Sequence, residues 1–480
     1  MPVTPDPPVL LATAAECLRG DRPWRRGLLV DVGSTFTKVC VVGPDGTLLA
    51  AARDHTTIDS DVLVGVTGAL ALLPAAAGGP FDWALTSSSA AGGLRMVSVG
   101  LTASLSGRAG EMAALGAGGK LIDVLNGYLA DSDVERIKDC APHVILLTGG
   151  TNGGNTAAMT HNASRLALVR NVSYVLAGSA QGSEQAAGIL RGAGADVRVA
   201  DNVFPAPGAL EISSVRDAVI DVFMTHITKA KGLDHLLSVL DAPCEPTPVA
   251  ASRVLDSWRR TGDDSAVLVD VGGATTDVHS SGGRQHLGNG GARLPLPEVQ
   301  RTVEADLGMR WGAEGVVHTM AEDTLTRLRT ELGVDLRKSA RLRAEQPEFI
   351  PDSPVERLAD REIARRAVGV AVDRHVGHLV IRRRPWGERH RLDGKDLRNA
   401  GLLLVTGGVF QHASDPARLV AEALAGDAGS GMVPRDPQIC VDDRYAAFAV
   451  GLIAPYSEQL ARALFGHLFP QIRRKSLEEK

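Results

Sequence analysis

The sequence predicts a duplicated α/β fold with a cleft between its two halves. Strand-like apolar runs alternate with helix-like segments along most of the 480 residues, which is typical of α/β proteins. A short acidic turn motif occurs twice, once in each half. A strand that ends in Thr-Gly-Gly also occurs twice, and the two patterns follow in the same order. Together these observations indicate that one domain was duplicated.

The first acidic turn opens the first half. Residues 27–40 read Gly-Leu-Leu-Val-Asp-Val-Gly-Ser-Thr-Phe-Thr-Lys-Val-Cys, so an apolar run ends at Asp31 and a second apolar run begins at Val39. The pattern predicts a β-hairpin. Its loop offers a carboxylate, hydroxyls, a bare glycine backbone and a cation, which are the groups that hold a phosphate chain and its metal ion.

The second acidic turn repeats this design. Residues 265–279 read Ser-Ala-Val-Leu-Val-Asp-Val-Gly-Gly-Ala-Thr-Thr-Asp-Val-His, and both motifs share Leu-Val-Asp-Val-Gly-x-x-x-Thr. Asp31 and Asp270 are 239 positions apart, which is far beyond the repeat length of a solenoid. The Thr-Gly-Gly strands, Val144–Gly150 and Leu402–Gly408, form the second matching pair and support a duplicated domain.

Asp31 and Asp270 are the candidate catalytic and magnesium-binding residues, because Mg²⁺ prefers carboxylates and water. Either aspartate alone could equally be a turn or cap residue, but the pair favours a nucleotide cleft. The remaining candidate nucleotide-binding residues carry hydroxyls, a cation or no side chain that would block a phosphate: Gly33, Ser34, Thr35, Thr37, Lys38, Gly272, Gly273, Thr275 and Thr276. Side chains alternate in a hairpin, so only some of these face the cleft. Lys38 could instead be a solvated strand lysine.

The strand at 402–405 leads into a third candidate segment. Gly407, Gly408 and Val409 follow it, and two glycines there would let an adenine or ribose lie against the backbone. A Gly-Gly turn is usually only a turn, but its place after the second acidic turn favours nucleotide binding. The chain contains no Gly-x-x-x-x-Gly-Lys-Ser/Thr motif, so a P-loop is excluded.

Composition limits the possible partners. A net charge of −5 and an aromatic content of 4% give no reason to expect a nucleic acid or an anionic membrane. No apolar run approaches the roughly 18 residues of a membrane span. The five cysteines stand apart from one another in the sequence, which indicates neither a disulfide framework nor a zinc site. We therefore expect a cytoplasmic protein without a nucleic-acid or membrane partner.

These patterns divide the chain into three parts. We expect an N-terminal extension at 1–26, a first lobe at 27–264, and a second lobe with a helical insertion at 265–480. The first part is rich in proline and has no basic region of the kind that begins a signal peptide.

The motifs resemble the ATPase superfamily of actin, sugar kinases and Hsp70-type chaperones. In that superfamily the Asp31 and Asp270 hairpins would be the two phosphate motifs, 402–410 would be the adenosine motif, and the fold would be a duplicated RNase H-like domain. Within it, the chain resembles the glutamate mutase accessory proteins of MutL type. That resemblance also covers segments 146–155, 230–233, 302–310 and 394–397. The segment Thr302-Val-Glu-Ala-Asp-Leu-Gly-Met-Arg310 is the most family-specific of them, and its spacing gives it no chemical role.

The resemblance implies a reactivating role. Such a protein would bind and hydrolyse ATP, with Mg²⁺, to restore an adenosylcobalamin-dependent carbon-skeleton mutase of the glutamate or methylaspartate mutase type. Residues 270–278 also resemble the second motif of ATP-dependent hydantoinases and oxoprolinases, so such an enzyme or a small-molecule kinase is the alternative. A nucleotide-binding scaffold without turnover is a third hypothesis. The activators of hydroxyacyl-CoA dehydratases share the first hairpin, but they carry an iron–sulfur cluster on paired cysteines, which this chain lacks.

Overall fold

The computed structural model describes residues 24–57, 60–89, 94–154, 156–227, 232–259, 265–283, 296–384, 387–426 and 431–472. Most of the expected N-terminal extension, residues 1–23, therefore lies outside the described residues. The described strands, in chain order, are β1 (Gly27–Val32), β2 (Phe36–Val42), β3 (Leu48–His55), β4 (Trp83–Ser88), β5 (Arg95–Gly100), β6 (Lys120–Asn126), β7 (Val144–Leu147), β8 (Ser173–Leu176), β9 (Asp196–Val199), β10 (Cys244–Pro246), β11 (Ala266–Val271), β12 (Thr276–Ser281), β13 (Val299–Glu304), β14 (His378–Arg384), β15 (Gly387–Asp393), β16 (Leu402–Thr406) and β17 (Gln438–Val441).

The α-helices of the same residues alternate with these strands. In chain order they are α1 (Val62–Ala71), α2 (Arg108–Gly116), α3 (Asp131–Cys140), α4 (Ala157–Leu166), α5 (Ala180–Gly192), α6 (Ser213–Ile227), α7 (Leu233–Leu240), α8 (Thr247–Trp258), α9 (Ala313–His318), α10 (Glu322–Leu332), α11 (Leu336–Glu345), α12 (Pro354–His375), α13 (Gly408–His412), α14 (Pro416–Gly426), α15 (Ala447–Ile453) and α16 (Glu458–Leu468). Within the described ranges, no helix is long and apolar enough to span a membrane.

Two five-stranded sheets have the same strand order. The first sheet is β3-β2-β1-β4-β10 and the second is β13-β12-β11-β16-β17. In each sheet the strand that carries the acidic turn pairs antiparallel with its hairpin partner on one side and parallel with a later strand on the other. This shared topology confirms the prediction of two duplicated RNase H-like α/β domains.

One supporting argument from the sequence was wrong. The strand at Val144–Leu147 is β7, which belongs to a separate parallel sheet with the order β6-β5-β7-β8-β9. The strand at Leu402–Thr406 is β16, which pairs with β11 in the second sheet. The counterpart of β16 in the first sheet is therefore β4, because β4 pairs with β1 in the same way. The two Thr-Gly-Gly patterns are not equivalent positions of the duplication.

The chain forms two compact units. The first unit comprises the described residues within 1–88, 235–286 and 301–480, and it contains the first sheet and all of the second sheet except the first two residues of β13. The second unit consists of residues 89–234 and 287–300, and it contains the sheet of β5 to β9. Helices cover that parallel sheet, and their apolar side chains form its core with the strands.

The core between the first and second sheets follows from strand alternation. Apolar side chains on one face of each sheet pack against α8, α15 and α16 in a single buried cluster. Leu29 and Leu85 come from the first sheet, while Leu268, Leu404 and Cys440 come from the second. The opposite face of β11, with Val267 and Val269, packs in another core with α12. Successive side chains of a strand point to opposite faces, so one sequence pattern serves both cores.

Candidate functional site

The face of each sheet that forms the shared core also carries the candidate site. On six strands, the position two residues from a side chain of the shared core, on the same face of the sheet, is occupied by a polar residue in the strand or just after it. The six polar residues are Asp31, Lys38, Ser87, Asp270, Thr406 and Asp442, next to the core residues Leu29, Cys40, Leu85, Leu268, Leu404 and Cys440. Strand alternation therefore brings the two predicted carboxylates into one polar cluster, and both belong to the first unit.

Lys38 and Asp31 form a buried ion pair. Lys38 Nζ donates to Asp31 Oδ2 at 2.7 Å, and neither side chain is more than 9% exposed. The other oxygen, Asp31 Oδ1, accepts hydrogen bonds from Ser87 Oγ at 2.8 Å and Thr247 Oγ1 at 2.5 Å. Both oxygens of Asp31 are thus engaged by the protein, which fixes the orientation of this carboxylate.

Lys38 is the centre of the cluster. Its ammonium lies 3.8 Å from the ring centroid of Tyr445, within the range of a cation–π interaction. Burial by itself would lower the pKa of Lys38, but Asp31, Tyr445 and Asp270 together hold that pKa above its ordinary value. Lys38 is therefore charged at every physiological pH, and it is not the solvated strand lysine that its sequence position allowed.

Asp270 differs from Asp31 in its hydrogen bonding. Its Oδ1 is buried and has no hydrogen-bond partner among the described residues. Burial raises the pKa of Asp270 to about 7, against the opposing effect of Lys38; the neighbouring carboxylates of Asp277, Asp31 and Asp442 raise it further. A cavity of about 20 Å³ lies beside it, lined also by Lys38 and Thr406. That volume suffices for about one water molecule.

Asp442, the residue directly after β17, completes the polar cluster. It accepts a hydrogen bond from Thr406 Oγ1 at 2.9 Å and from the backbone N–H groups of Ala446 and Ala447, also at 2.9 Å. Its burial raises the pKa of Asp442, and these donors counteract the rise. Tyr445, in the same loop, adopts a left-handed backbone with φ of +53°. The loop after β17 therefore places an aromatic ring over Lys38.

The two acidic turns have matching backbones and lie close together. Gly33 N–H donates to Phe36 O at 3.1 Å, and Gly272 N–H donates to Thr275 O at 2.9 Å. A β-carbon on Gly273 would be 3.1 Å from Oγ1 of Thr35. Glycine at 273 therefore permits the close approach of the two turns, whereas the sequence had given this glycine a close approach to phosphate.

The backbone of the second turn presents donors to one side. The carbonyl of Gly272 accepts from Met309 N–H at 2.9 Å, and the carbonyl of Gly273 accepts from Arg310 N–H at 2.7 Å. In a planar trans peptide the N–H group points opposite to the carbonyl. The N–H groups of Gly273 and Ala274 therefore both point away from residues 309–310. Two successive N–H groups on one side form a concavity suited to an anion.

The predicted hydroxyl residues have different surroundings. Thr37 Oγ1 is hydrogen-bonded to Thr56 at 3.0 Å, and Thr276 Oγ1 donates to the carbonyl of Leu307 at 2.9 Å. Thr275 Oγ1 donates to Asp277 Oδ2 at 3.3 Å. In contrast, Thr35 Oγ1 is buried and has no partner among the described residues. Ser34, in the same turn, is half-buried. Among the threonines predicted for the site, Thr35 is therefore the one whose hydroxyl is available for a ligand.

The predicted adenosine segment follows β16. Gly407 has φ of +131°, and a β-carbon there would be 2.4 Å from the carbonyl oxygen of Val271. Gly408 begins the short helix α13, and the side chain of Val409 packs against the core of the second sheet. Arg53 of β3 donates to Gln411 and is 3.1 Å from Nε2 of His412. This arginine therefore connects the first sheet to α13.

The sequence did not single out several residues of this site. Ser87 and Thr247 donate hydrogen bonds to Asp31. The ring of Tyr445 lies against Lys38, and Asp442 accepts a hydrogen bond from Thr406. Ser87 ends an apolar strand, as Asp31 does, and that position was its only signal. Asp442 lies two positions after the core residue Cys440, so strand alternation was its signal. Thr247 begins a helix and Tyr445 lies in a loop, and neither periodicity nor a motif marks those two.

The second unit contains a larger cavity that does not suit a phosphate. It measures about 480 Å³ and is lined by Lys138, His143 and Arg170 among others. Lys138 is paired with Glu135, and Arg170 donates to the carbonyl of Ala193. The cavity lies at the amino ends of parallel strands, whereas ligands of such sheets bind beyond the carboxyl ends. It carries no functional assignment.

Comparison with known proteins identifies a family. The family model described as "MutL protein" matches residues 27–468. Protein MutL of Clostridium tetanomorphum is 36% identical over 440 residues, which cover 89% of this chain and 95% of that protein. A match of this length includes both acidic turns and the segment at 302–310.

Solved structures are more distant. A ROK family glucokinase from Streptomyces griseus in complex with glucose and AMPPNP is 13% identical, with 89% of this chain and 97% of that chain covered and a TM-score of 0.32. The activator of 2-hydroxyisocaproyl-CoA dehydratase from Clostridium difficile with bound ADPNP is 11% identical, with 95% and 98% covered and a TM-score of 0.30. Likenesses this distant carry no argument about function. The extended sequence match does identify the family, and the chain belongs to the MutL protein family.

Proposed function

We propose that this protein binds Mg·ATP between its two acidic turns and hydrolyses it to reactivate an adenosylcobalamin-dependent carbon-skeleton mutase of the glutamate or methylaspartate mutase type. The observation that carries the nucleotide part is the convergence of Asp31, Asp270 and Lys38 in one polar cluster below two facing turns. Membership of the MutL protein family supports the accessory role.

The donor set fits a magnesium ion bound together with phosphates. Among the described residues, no group of three or more His, Cys, Asp or Glu side chains could hold a metal ion by itself. Mg²⁺ usually takes only one or two carboxylates and completes its shell with water and phosphate oxygens. Asp31 and Asp270 would supply these carboxylates through water, with Asp270 Oδ1 offering a buried acceptor that lacks a partner. The bound ion would neutralise charge that develops on the phosphates.

The chain's own groups would hold the rest of the nucleotide. Lys38 carries a permanent charge for a phosphate, and the N–H groups of Gly273 and Ala274 offer two further donors. The Thr35 hydroxyl faces the same space from the first turn. Ser34 and Gly33 would extend this contact, and Gly407 to Val409 would support the adenosine.

Hydrolysis requires a water molecule aimed at the terminal phosphorus. Water attack forms a new P–O bond, breaks the bond to the bridging oxygen of ADP and releases one proton. Asp270 suits the orientation of this water better than Asp31 does, because one of its oxygens is free of the protein whereas Asp31 accepts three hydrogen bonds. A pKa near 7 also lets Asp270 accept that proton.

Reactivation would use the difference between the ATP and ADP states. A mutase loses activity when its cofactor loses the adenosyl group, and a partner that changes shape on hydrolysis could open the mutase for cofactor exchange. A reducing cytoplasmic setting is part of this proposal, and the described cysteines Cys40, Cys140, Cys244 and Cys440 are all free thiols.

The test combines turnover and partner capture. ATP hydrolysis is measured for the full chain, alone and with an inactivated mutase holoenzyme, and return of mutase activity is followed in parallel. We expect Asp31→Asn and Asp270→Asn to abolish both activities, while Asp45→Asn, in an exposed turn of the same sheet, retains them. Normal hydrolysis by the two site variants would remove the mechanism. ATP-coupled turnover of a cyclic amide without any mutase would favour the hydantoinase-like alternative instead.

A further inference from the structure

The family-specific segment at 302–310 contacts the second acidic turn. This turn, Gly272 to Thr275, has few side-chain atoms with which to hold its own shape. Two N–H groups of the segment, those of Met309 and Arg310, and that of Gly312 just after it donate to carbonyls of the turn. Residues 304–312 are called the clamp segment below, because they hold the turn through its backbone.

Two glycines make the contact possible. A β-carbon on Gly308 would be 2.6 Å from the carbonyl oxygen of Gly273, and one on Gly312 would be 2.6 Å from the carbonyl oxygen of Ala274. Both obstacles are backbone atoms, so a side chain at either position must displace the turn. The backbones of the clamp segment and the turn therefore touch directly.

Arg374 of α12 anchors the clamp segment. Its Nη1 donates to Glu304 Oε2 at 2.7 Å and to Asp306 Oδ1 at 3.0 Å. Without the arginine, two carboxylates two positions apart would repel each other. Next to it, His375 joins Thr302 to Ser280 by hydrogen bonds of 2.9 and 2.8 Å, so the strand that leads into the clamp segment is also tied to β12. The segment thus has a fixed support on one side and the turn on the other.

We propose that the clamp segment positions the phosphate-binding N–H groups of Gly273 and Ala274, and that Arg374 is the positioning residue that fixes it. This inference rests on the proposed nucleotide function. The carbonyls held by Met309 and Arg310 decide which way those N–H groups point. Arg374 acts through Glu304 and Asp306 and contacts the nucleotide at no point. The proposal thereby gives a role to the family-specific segment at 302–310, for which the sequence alone indicated no chemistry.

The test compares two ligands on the full chain by titration calorimetry. Arg374→Gln should bind Mg·ATP about tenfold more weakly, as is typical when an orienting group is removed. Its affinity for adenosine should stay within about twofold, because adenosine lacks the phosphates that the turn would hold. A merely structural role would weaken both ligands alike. Glu304→Gln should reproduce the effect in a milder form, and Arg374→Lys should restore part of the affinity.

Arg462→Gln is the matched control. Arg462 makes an ion pair of 2.7 Å with Glu458 and is 44% exposed, close to the 40% of Arg374, but it lies in α16. The Arg462→Gln variant should bind Mg·ATP and adenosine with the affinities of the wild type. Wild-type affinity for Mg·ATP in both Arg374→Gln and Glu304→Gln would overturn the clamp, as would an equal loss of both ligands. Absence of ATP binding by the wild-type chain would instead refute the proposed function itself.

Discussion

Thr35 and Gly273 face each other at the point where the two acidic turns meet, 3.1 Å apart when a β-carbon is placed on the glycine. The hydroxyl of Thr35 has no other partner among the described residues. This pairing joins the two halves of the duplication one position out of register, because Thr35 aligns with Ala274 and Gly273 aligns with Ser34.

Substitution of Gly273 should therefore affect the ligand more than the fold. In Gly273→Val the new side chain would meet the Thr35 hydroxyl and the ring of Trp311, both of which are side-chain atoms that can shift. We expect affinity for Mg·ATP to fall at least about tenfold, a loss of about 1.4 kcal/mol. Fluorescence titration with an ATP analogue measures it. Gly188→Val, at an open helix position in α5, is the control, and equal affinity in the two variants would contradict the prediction.

The buried ion pair of Lys38 and Asp31 should dominate the stability of the site. Lys38→Met leaves the Asp31 carboxylate buried without its charge partner, which typically costs about 3–5 kcal/mol. The double variant Lys38→Met with Asp31→Asn removes the stranded charge and should recover a large part of that loss. Chemical denaturation of the three proteins gives the comparison. A double variant no more stable than Lys38→Met would show that the pair is not responsible.

The raised pKa of Asp270 predicts a pH dependence of stability. Between about pH 4 and pH 7 the folded protein holds a proton on Asp270 that the unfolded chain has lost, so this group makes stability fall as pH rises through that range. Asp270→Asn should lack this contribution. It should exceed the wild type by about 2–4 kcal/mol above pH 7 and match it near pH 4. Denaturation midpoints from pH 4 to pH 8 provide the measurement.

The same carboxyl group predicts proton release on ligand binding. Magnesium favours the ionised form, so binding of Mg·ATP near pH 7 should expel the Asp270 proton. Calorimetry in two buffers of different ionisation enthalpy detects the release, and Asp270→Asn should show less of it. Identical buffer dependence in both proteins would argue that Asp270 is already ionised before binding.

Arg53 should control the rate of nucleotide release. It links β3 of the first sheet to Gln411 and His412 of α13, next to the predicted adenosine glycines. Arg53→Ala removes this link, and we expect an ATP analogue to dissociate several times faster with little change in thermal stability. Stopped-flow displacement measures the rate. Arg136→Ala, which removes an exposed ion pair of the second unit, should leave it unchanged.

Sequence patterns were sufficient for the duplication and for the two carboxylates. Leu29 to Asp31 and Leu268 to Asp270 each show a core residue followed by an acid two positions later. Strand alternation then places each acid on the same face of its sheet as the core residue. The Thr-Gly-Gly match at 144–150 misled because many buried parallel strands end in small turn residues. Tyr445 and Thr247 were not predicted, because one lies in a loop and the other begins a helix, where strand alternation gives no signal. The clamp segment acts through backbone atoms, which side-chain chemistry in a sequence does not reveal.

The shared strand order of the two sheets gives the site a pseudo-dyad, yet its two ends differ chemically. One turn offers hydroxyls at Ser34 and Thr35, and the other offers bare amides at Gly273 and Ala274. The two ends of a nucleotide also differ chemically, so under the proposed function only one of its two orientations would match this difference. Divergence of the two copies after duplication thus gave the two turns different hydrogen-bonding groups, so the site is no longer symmetric.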